Sequence, residues 1–399
     1  MTAAMELSSP EVMDVFARYV VPNYTRYPVC LVRGQGSEVW DAEGRRYLDF
    51  FPGWGCNLLG HCPPRVVQAV QEQVAQLIHV PNSWYIESQG AFAQALVERS
   101  FSSQAFFCNS GAEANEAAIK LARAHQAPRY KIIATQQSFH GRTFAAISAT
   151  GQPKYQQGFG PLLPGFKHVP FGDLEAMEHQ IDDETAAIMV EPIQGEGGVN
   201  LAPEGYLEGL RKLADDRGLL LILDEVQSGM GRTGRWFAYQ HTDITPDIMT
   251  LAKSLAGGVT GGAMLARPEV AASLKPGMHA ATFGGNPLTC RAGLATIETI
   301  DEGNLLERGT AIGERFRKFF LELSGTTSVI REVRGKGVMI GVDLAMPGAE
   351  IVQQLLERGL LANCTHDTVL RLLPALTIQD EQIDEGCSII ADVLRSAEG

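Results

Sequence analysis

Apolar and polar positions divide the 399-residue chain into stretches with different rhythms. Up to about residue 65 the pattern is broken by proline and glycine. Only SEVWD and RRYLDF stand out there, as a short hairpin about the turn at Glu43–Gly44. From about Pro64 to Arg99 apolar residues recur at helical spacing, in VVQAVQEQVAQL and again in AFAQALVERS. Short apolar runs then alternate with helical text and loops: Ala105–Cys108, Lys131–Ala134, Ala186–Val190, Leu219–Leu223, Ile248–Leu251 and Gly262–Leu265. Strands that are apolar throughout need cover on both faces, so this region predicts a mostly parallel sheet between helices. After about Asn286 the chain turns helical (PLTCRAGLATIETIDEGNLLERGTAIGERFRKFFLEL). It ends in mixed elements: VMIGVDL, AEIVQQLLERG, TVLRLLPAL and DEQIDEGCSIIADVLR. The expected architecture is α/β, with a large domain over residues 66–285 and a smaller one assembled from residues 1–65 and 286–399.

Ligands of such sheets gather beyond the carboxyl ends of the strands. There AAIMV ends in Glu191, LLLIL in Asp224, and DIMTLA in Lys253. One such acid reads equally well as a helix cap or as a site residue; three ionisable residues after three apolar runs point to one shared site. Lys253 is the unusual member, because the text from Met249 to Ala266 is otherwise uncharged and burying an ammonium is costly. Burial lowers a lysine's pKa and frees its lone pair.

LLLILDEVQSGMGRTG also carries Gly229-x-Gly231-x-x-Gly234, the spacing of a dinucleotide fingerprint. That fingerprint needs its first glycine directly after the strand and a small-residue helix behind it. Here DEVQS intervenes and RWFAYQHTDITPD follows, so the glycines shape a loop and Asp224 carries the interest. NSGAEANEAAIKLAR is the better phosphate candidate. Ser110-x-x-Glu113 reads as a capping box, and Gly111 lets the backbone approach an anion at a helix N-terminus. An ordinary capped helix would read the same way. FHGRT adds Phe139 and Arg142, and VEPIQGEGG adds Glu191 and Glu196 on a glycine-rich loop.

Composition narrows the classes. With 45% hydrophobic and 20% charged residues the chain is of ordinary globular type. A net charge of −13 and the lack of any Lys/Arg run argue against tracking a nucleic acid. No apolar run approaches the roughly 18 residues that span a bilayer, and the first twenty residues carry acids rather than a signal-peptide core. The seven cysteines form no C-x-x-C pair, which predicts free thiols, no metal site and a reducing, cytoplasmic setting.

A strand-end Asp, a desolvated Lys, a phosphate-binding helix start and a flat aromatic together fit pyridoxal 5'-phosphate. Its aldehyde needs an amine, its phosphate a helix N-terminus, its ring a stacking face, and its pyridine nitrogen a carboxylate.

The motifs also resemble a family. NYTRYP, VRGQGSEVWDAEGRRYLDF, LGH, NSGAEANEAAIK, SFHGRT, EPIQGEGGV, LDEVQSGMGRTG, TLAKSLAGG, TFGGNPL and VLRLLPAL are similar, over nearly the whole chain, to class-III pyridoxal-phosphate aminotransferases of fold type I, most of all to the acetylornithine type. The resemblance implies a mostly parallel seven-stranded sheet and a homodimer with active sites at the subunit interface. It implies that Lys253 bonds the cofactor aldehyde and then shuttles the proton. Asp224 would pair with the pyridine nitrogen, Val226 pack on the ring, Gln227 bind the phenolic oxygen, and Phe139 stack on the opposite face. Ser110, Gly111 and Ala112 would hold the phosphate, with Thr282 supplied by the neighbouring subunit. Arg142 would grip a substrate carboxylate, and Arg371 the carboxylate beside the reacting carbon of 2-oxoglutarate. With N-acetylornithine as amino donor Arg371 would be unpaired, and Glu196 would neutralise it. Tyr24 is implied at the substrate site in both acetylornithine and ornithine types. The sequence departs from the family at FPGWG (Phe51–Gly55), at Pro63 and at Trp84, which leaves open a lining of the tail pocket by Trp54 or Trp84, or packing only. Ornithine, succinylornithine, 4-aminobutyrate or carrier-bound acyl-lysine remain alternative donors.

Overall fold

The computed structural model describes residues 7–398; the first six residues of the acidic N-terminal stretch and Gly399 lie outside them. A seven-stranded sheet forms the centre: β1 (Gln104–Cys108), β2 (Lys131–Thr135), β3 (Phe166–Val169), β4 (Thr185–Val190), β5 (Leu220–Asp224), β6 (Ile248–Leu251) and β7 (Gly262–Ala266), in spatial order β1-β7-β6-β5-β4-β2-β3. Only β7 runs against the others, pairing antiparallel with both β6 and β1. All six apolar runs of the sequence are strands. The seventh, FKHV, carries Lys167 and His168 and sits at the sheet edge, half-buried, so it lacks the continuous apolar signal that marks β4 and β5.

The helix Gly111–Gln126 follows β1 and lies across β6 and β7. Its buried face is largely alanine (Ala114, Ala117, Ala118, Ala122), which lets its axis lie close to the strands and brings Asn115 to the end of β5. Helix Pro287–Glu302, capped by Asn286 accepting from the Thr289 N–H at 3.0 Å, packs on Pro64–Val74 and Glu87–Arg99.

The two chain ends meet in smaller sheets. The expected hairpin forms with Glu38 opposite Leu48, and Leu360–Leu361 from the far end of the chain joins it parallel to Leu48 and Asp49. A second sheet is made of Ile330–Lys336, Met339–Leu344, Val369–Leu372 and Asn363–Thr365. In it Arg371 faces Gly341 across one ladder and Asn363 across the other.

The glycines 229–234 form a loop, as their context predicts. Its Arg232 is fully buried and donates to the carbonyl oxygens of Gly55, Leu373 and Pro374, each at 3.0 Å. The loop thereby ties the large sheet to segments from both chain ends. No helix among the described residues is long and apolar enough to cross a membrane.

Candidate active site

A cavity of about 430 Å³ opens beyond the carboxyl ends of β4, β5 and β6. The three strand-end residues Glu191, Asp224 and Lys253 all line it. Asp224, the last residue of β5, is held from three directions. Its Oδ2 accepts from Asn115 Nδ2 at 2.8 Å and from His140 Nδ1 at 2.7 Å, and its Oδ1 accepts from the Val226 N–H at 3.0 Å. Thr250 on β6 fixes the Asn115 amide by donating to its Oδ1 at 2.7 Å. A carboxylate satisfied in this way keeps its position. The buried His140 Nε2 has no partner among the described residues.

Lys253 adopts a left-handed backbone (φ 46°) at the start of a short turn that ends at Gly257. This conformation costs a non-glycine residue about 1–3 kcal/mol and persists only where surrounding contacts enforce it. Ser254 supplies one such contact, its Oγ donating to the Gly55 carbonyl at 2.8 Å. Burial drives the Lys253 amine below the ordinary lysine range; Glu196 resists the shift and Arg371 adds to it. The result is a lysine amine at the cavity wall that holds its proton less firmly than an exposed one.

Ser110, Gly111 and Ala112 line the cavity at the start of the helix Gly111–Gln126. Ser110 Oγ accepts from the Glu113 N–H at 3.2 Å, but the expected capping box does not close. Glu113 accepts instead from the backbone and side-chain N–H groups of Asn109, because two donors on one residue compete better than one. A Cβ at Gly111 would stand 2.7 Å from Val226 Cγ1, so only glycine lets this helix start approach the end of β5. Val226 and Gln227 line the cavity beside it.

Phe139 and Arg142 line the cavity from the loop after β2. Glu191 Oε1 accepts from the Phe139 N–H at 2.9 Å and its Oε2 from the Gly195 N–H at 3.0 Å, so one carboxylate joins two site loops. The exposed Arg142 guanidinium lies 4.7 Å from the Tyr155 ring and 5.9 Å from that of Phe139. No carboxylate among the described residues pairs with it.

Arg371 lies behind this layer with its side chain 1% exposed. Glu196 accepts from its Nη1 at 2.7 Å and from its Nη2 at 3.2 Å. Gln227 Oε1 accepts from Nη1 at 3.2 Å, and Asn363 Oδ1 from Nε at 3.2 Å and Nη2 at 2.9 Å. Burial pushes the Glu196 carboxyl up, yet Arg371, aided by Lys253 and Gln227, outweighs it and holds the group at about 2.

Thr282 and Tyr24 do not line the cavity of their own chain and are exposed. Trp54 and Trp84 are exposed as well, and Phe51 of FPGWG is the aromatic that meets Arg371, its ring 4.9 Å from the guanidinium. His140, Asn115 and Asn363 were not marked by the sequence. His140 had a signal in its place beside Phe139, Asn115 a weaker one in facing the same way as Gly111 one turn on, and Asn363 none.

The family model for class-III aminotransferases matches residues 19–394. The acetylornithine aminotransferase of Caldanaerobacter subterraneus subsp. tengcongensis is 49% identical over 383 residues, 94% of this chain and 97% of the relative. That of Methanocaldococcus jannaschii is also 49% identical, over 95% of this chain and 96% of its own. Among solved structures, an ornithine aminotransferase from Toxoplasma gondii superposes with a TM-score of 0.95 at 34% identity, covering 98% of this chain and 96% of that one. An acetylornithine aminotransferase from Elizabethkingia anophelis gives 0.88 at 35%, covering 98% and 99%. A sheet that gathers a fixed carboxylate and a desolvated lysine at one cavity, matched along nearly its whole length by these relatives, belongs to the class-III aminotransferases.

Proposed function

We propose that the protein is a pyridoxal-phosphate-dependent transaminase that moves the terminal amino group of N2-acetylornithine to 2-oxoglutarate, giving N-acetylglutamate semialdehyde and glutamate. The observation that carries this reading is the meeting of Lys253 and Asp224 in one cavity with a helix N-terminus opening onto it. The curated relatives' names supply the donor.

The residues fit the cofactor by their chemistry. Lys253 would hold the aldehyde, Ser110, Gly111 and Ala112 the phosphate, Phe139 and Val226 the two ring faces, Gln227 the phenolic oxygen, and Asp224 the ring nitrogen. Ser110 Oγ occupies the Glu113 N–H, which leaves the Gly111 and Ala112 N–H groups of the first turn to face an anion. Bound there, pyridoxal phosphate supplies an aldehyde that exchanges amines and a ring that withdraws electrons from the carbon losing its proton.

This chain's own groups do the rest. The Lys253 amine, its hold on a proton weakened by burial, takes the proton from the substrate carbon and returns it. Asp224, fixed by His140 and Asn115, holds its carboxyl group in one orientation at the cavity. Arg142 has no carboxylate partner among the described residues and so can bind one from either substrate. Arg371 accepts the second carboxylate of 2-oxoglutarate once Glu196 turns away, and Glu196 compensates it when the donor is bound.

We also infer a homodimer. Thr282 and Tyr24 stand off their own cavity; Phe283 next to Thr282, and Trp84 and Tyr85 on a loop that Asn82 ties to the Ala281 and Gly284 carbonyls, expose large aromatic surfaces. Aromatics so exposed mark a contact surface.

Replacing Lys253 by Ala tests the reading. Loss should exceed the roughly 10²–10⁴-fold of a single general base, and the visible absorbance of the reconstituted protein should vanish. A purified variant that keeps both turnover and absorbance would refute it. A panel of amine donors with 2-oxoglutarate, including free ornithine, separates the acetylated donor from the alternatives.

A further inference from the structure

We propose that Asn363 is a positioning residue that holds Arg371 in place without neutralising it, so that two interchangeable carboxylates can compete for the same guanidinium. The inference rests on the reading of Arg371 as the group that binds the second carboxylate of the acceptor.

A guanidinium has five N–H donors and no acceptor, so only the oxygen of the Asn363 amide can face it. All five donors of Arg371 are used. Glu196 takes one on Nη1 and one on Nη2, Gln227 takes the second on Nη1, and Asn363 takes Nε and the second on Nη2. Three of the five therefore go to neutral amide oxygens and two to a carboxylate. If Glu196 leaves, the guanidinium keeps three hydrogen bonds, to Gln227 and Asn363 on two sides, and presents two adjacent N–H groups with its full charge.

The sheet supports this division. Asn363 lies directly opposite Arg371 on the adjoining antiparallel strand, a register fixed by backbone hydrogen bonds. Two residues along the same strand, Thr365 Oγ1 donates to the backbone carbonyl of Glu196 at 2.7 Å. One short strand thus fixes the arginine through Asn363 and the backbone of the competing acid through Thr365. The exchange is confined to the Glu196 side chain.

Neutrality is the point of the asparagine. An aspartate in this position could make the same contacts, but its charge would compensate Arg371 permanently. It would both release Glu196 and remove the field that draws in a substrate carboxylate.

The test uses the holoenzyme and glutarate, a dicarboxylate without a reactive keto group, by calorimetry. Asn363→Asp should weaken glutarate by about tenfold or more and lower the ratio of acceptor to donor kcat/KM to a similar extent. Asn363→Ala, which removes the contact without adding charge, should weaken glutarate by only about two- to fivefold. Equal losses in the two variants, or no loss in either, overturn the proposal. If the Asp variant does not fold, unchanged glutarate affinity in the Ala variant overturns it alone. Arg371→Ala serves as reference: if it leaves glutarate binding intact, the reading of Arg371 fails and takes this inference with it.

Discussion

Glu191 and Glu196 stand on the same glycine-rich loop, both largely enclosed, and their surroundings push them in opposite directions. Burial drives the Glu191 carboxyl well above the ordinary range; nearby Asp224 adds to this, and His140 and the N–H groups of Gly195 and Phe139 oppose it. Glu196 meets the same penalty of burial, but Arg371 lies 2.7 Å away and holds it at about 2. The first acid is a tie between two loops and has no full counter-ion in contact among the described residues. The second is one half of an ion pair whose other half has further business. The contrast shows that burial alone does not assign an acid its role; the charge it faces does.

The largest effect should come from breaking the ion pair. Glu196→Ala leaves Arg371 buried without an anion, and is expected to lower the stability of the holoenzyme by about 3–5 kcal/mol. It should also favour 2-oxoglutarate over the ω-amine donor. Urea unfolding should show part of the loss restored by saturating 2-oxoglutarate, and unchanged kcat/KM in both half-reactions would refute the switch.

A smaller change is expected from Glu191→Gln. The amide keeps one acceptor oxygen for Phe139 or Gly195 but turns an N–H towards the other, a loss of about 1–3 kcal/mol, partly offset by removing a charge close to Asp224. Urea unfolding measures it, and a loss as large as that of Glu196→Ala would erase the distinction drawn here.

The subtlest test is pH. Glu196 has a depressed carboxyl, so its stabilisation is present above its usual 4.5 and fades as pH falls from there to about 2. Glu191 has a raised carboxyl, so its contribution is full below 4.5 and is lost as pH rises through its elevated value. Stability profiles of the wild type and each variant should therefore diverge on opposite sides. Parallel profiles would mean that the two acids share one environment.

Legibility in the sequence followed the same division. Asp224, Lys253 and Glu191 were readable because each follows an apolar strand run, and a parallel sheet delivers its strand ends to one edge. Ser110 and Gly111 were readable as a capped helix start, although the partner of Glu113 was not. Edge strand Phe166–Val169 was missed because a half-buried strand tolerates Lys167 and His168. Arg371 was identified through family resemblance. Nothing local distinguishes it, since its burial depends on a strand pairing.

The sequence by itself determined the alternation of buried strands and helices, the chemistry placed at the strand ends, and the exclusion of a dinucleotide loop. These are matters of period and neighbouring residues, which the chain carries locally. Only the tertiary structure decided that His140 and Asn115 would grip Asp224, that Arg232 would join both chain ends, and that Asn363 would share Arg371 with Glu196. Those contacts join residues far apart in the chain, and ladder register and burial create them, not any spacing that can be read along it.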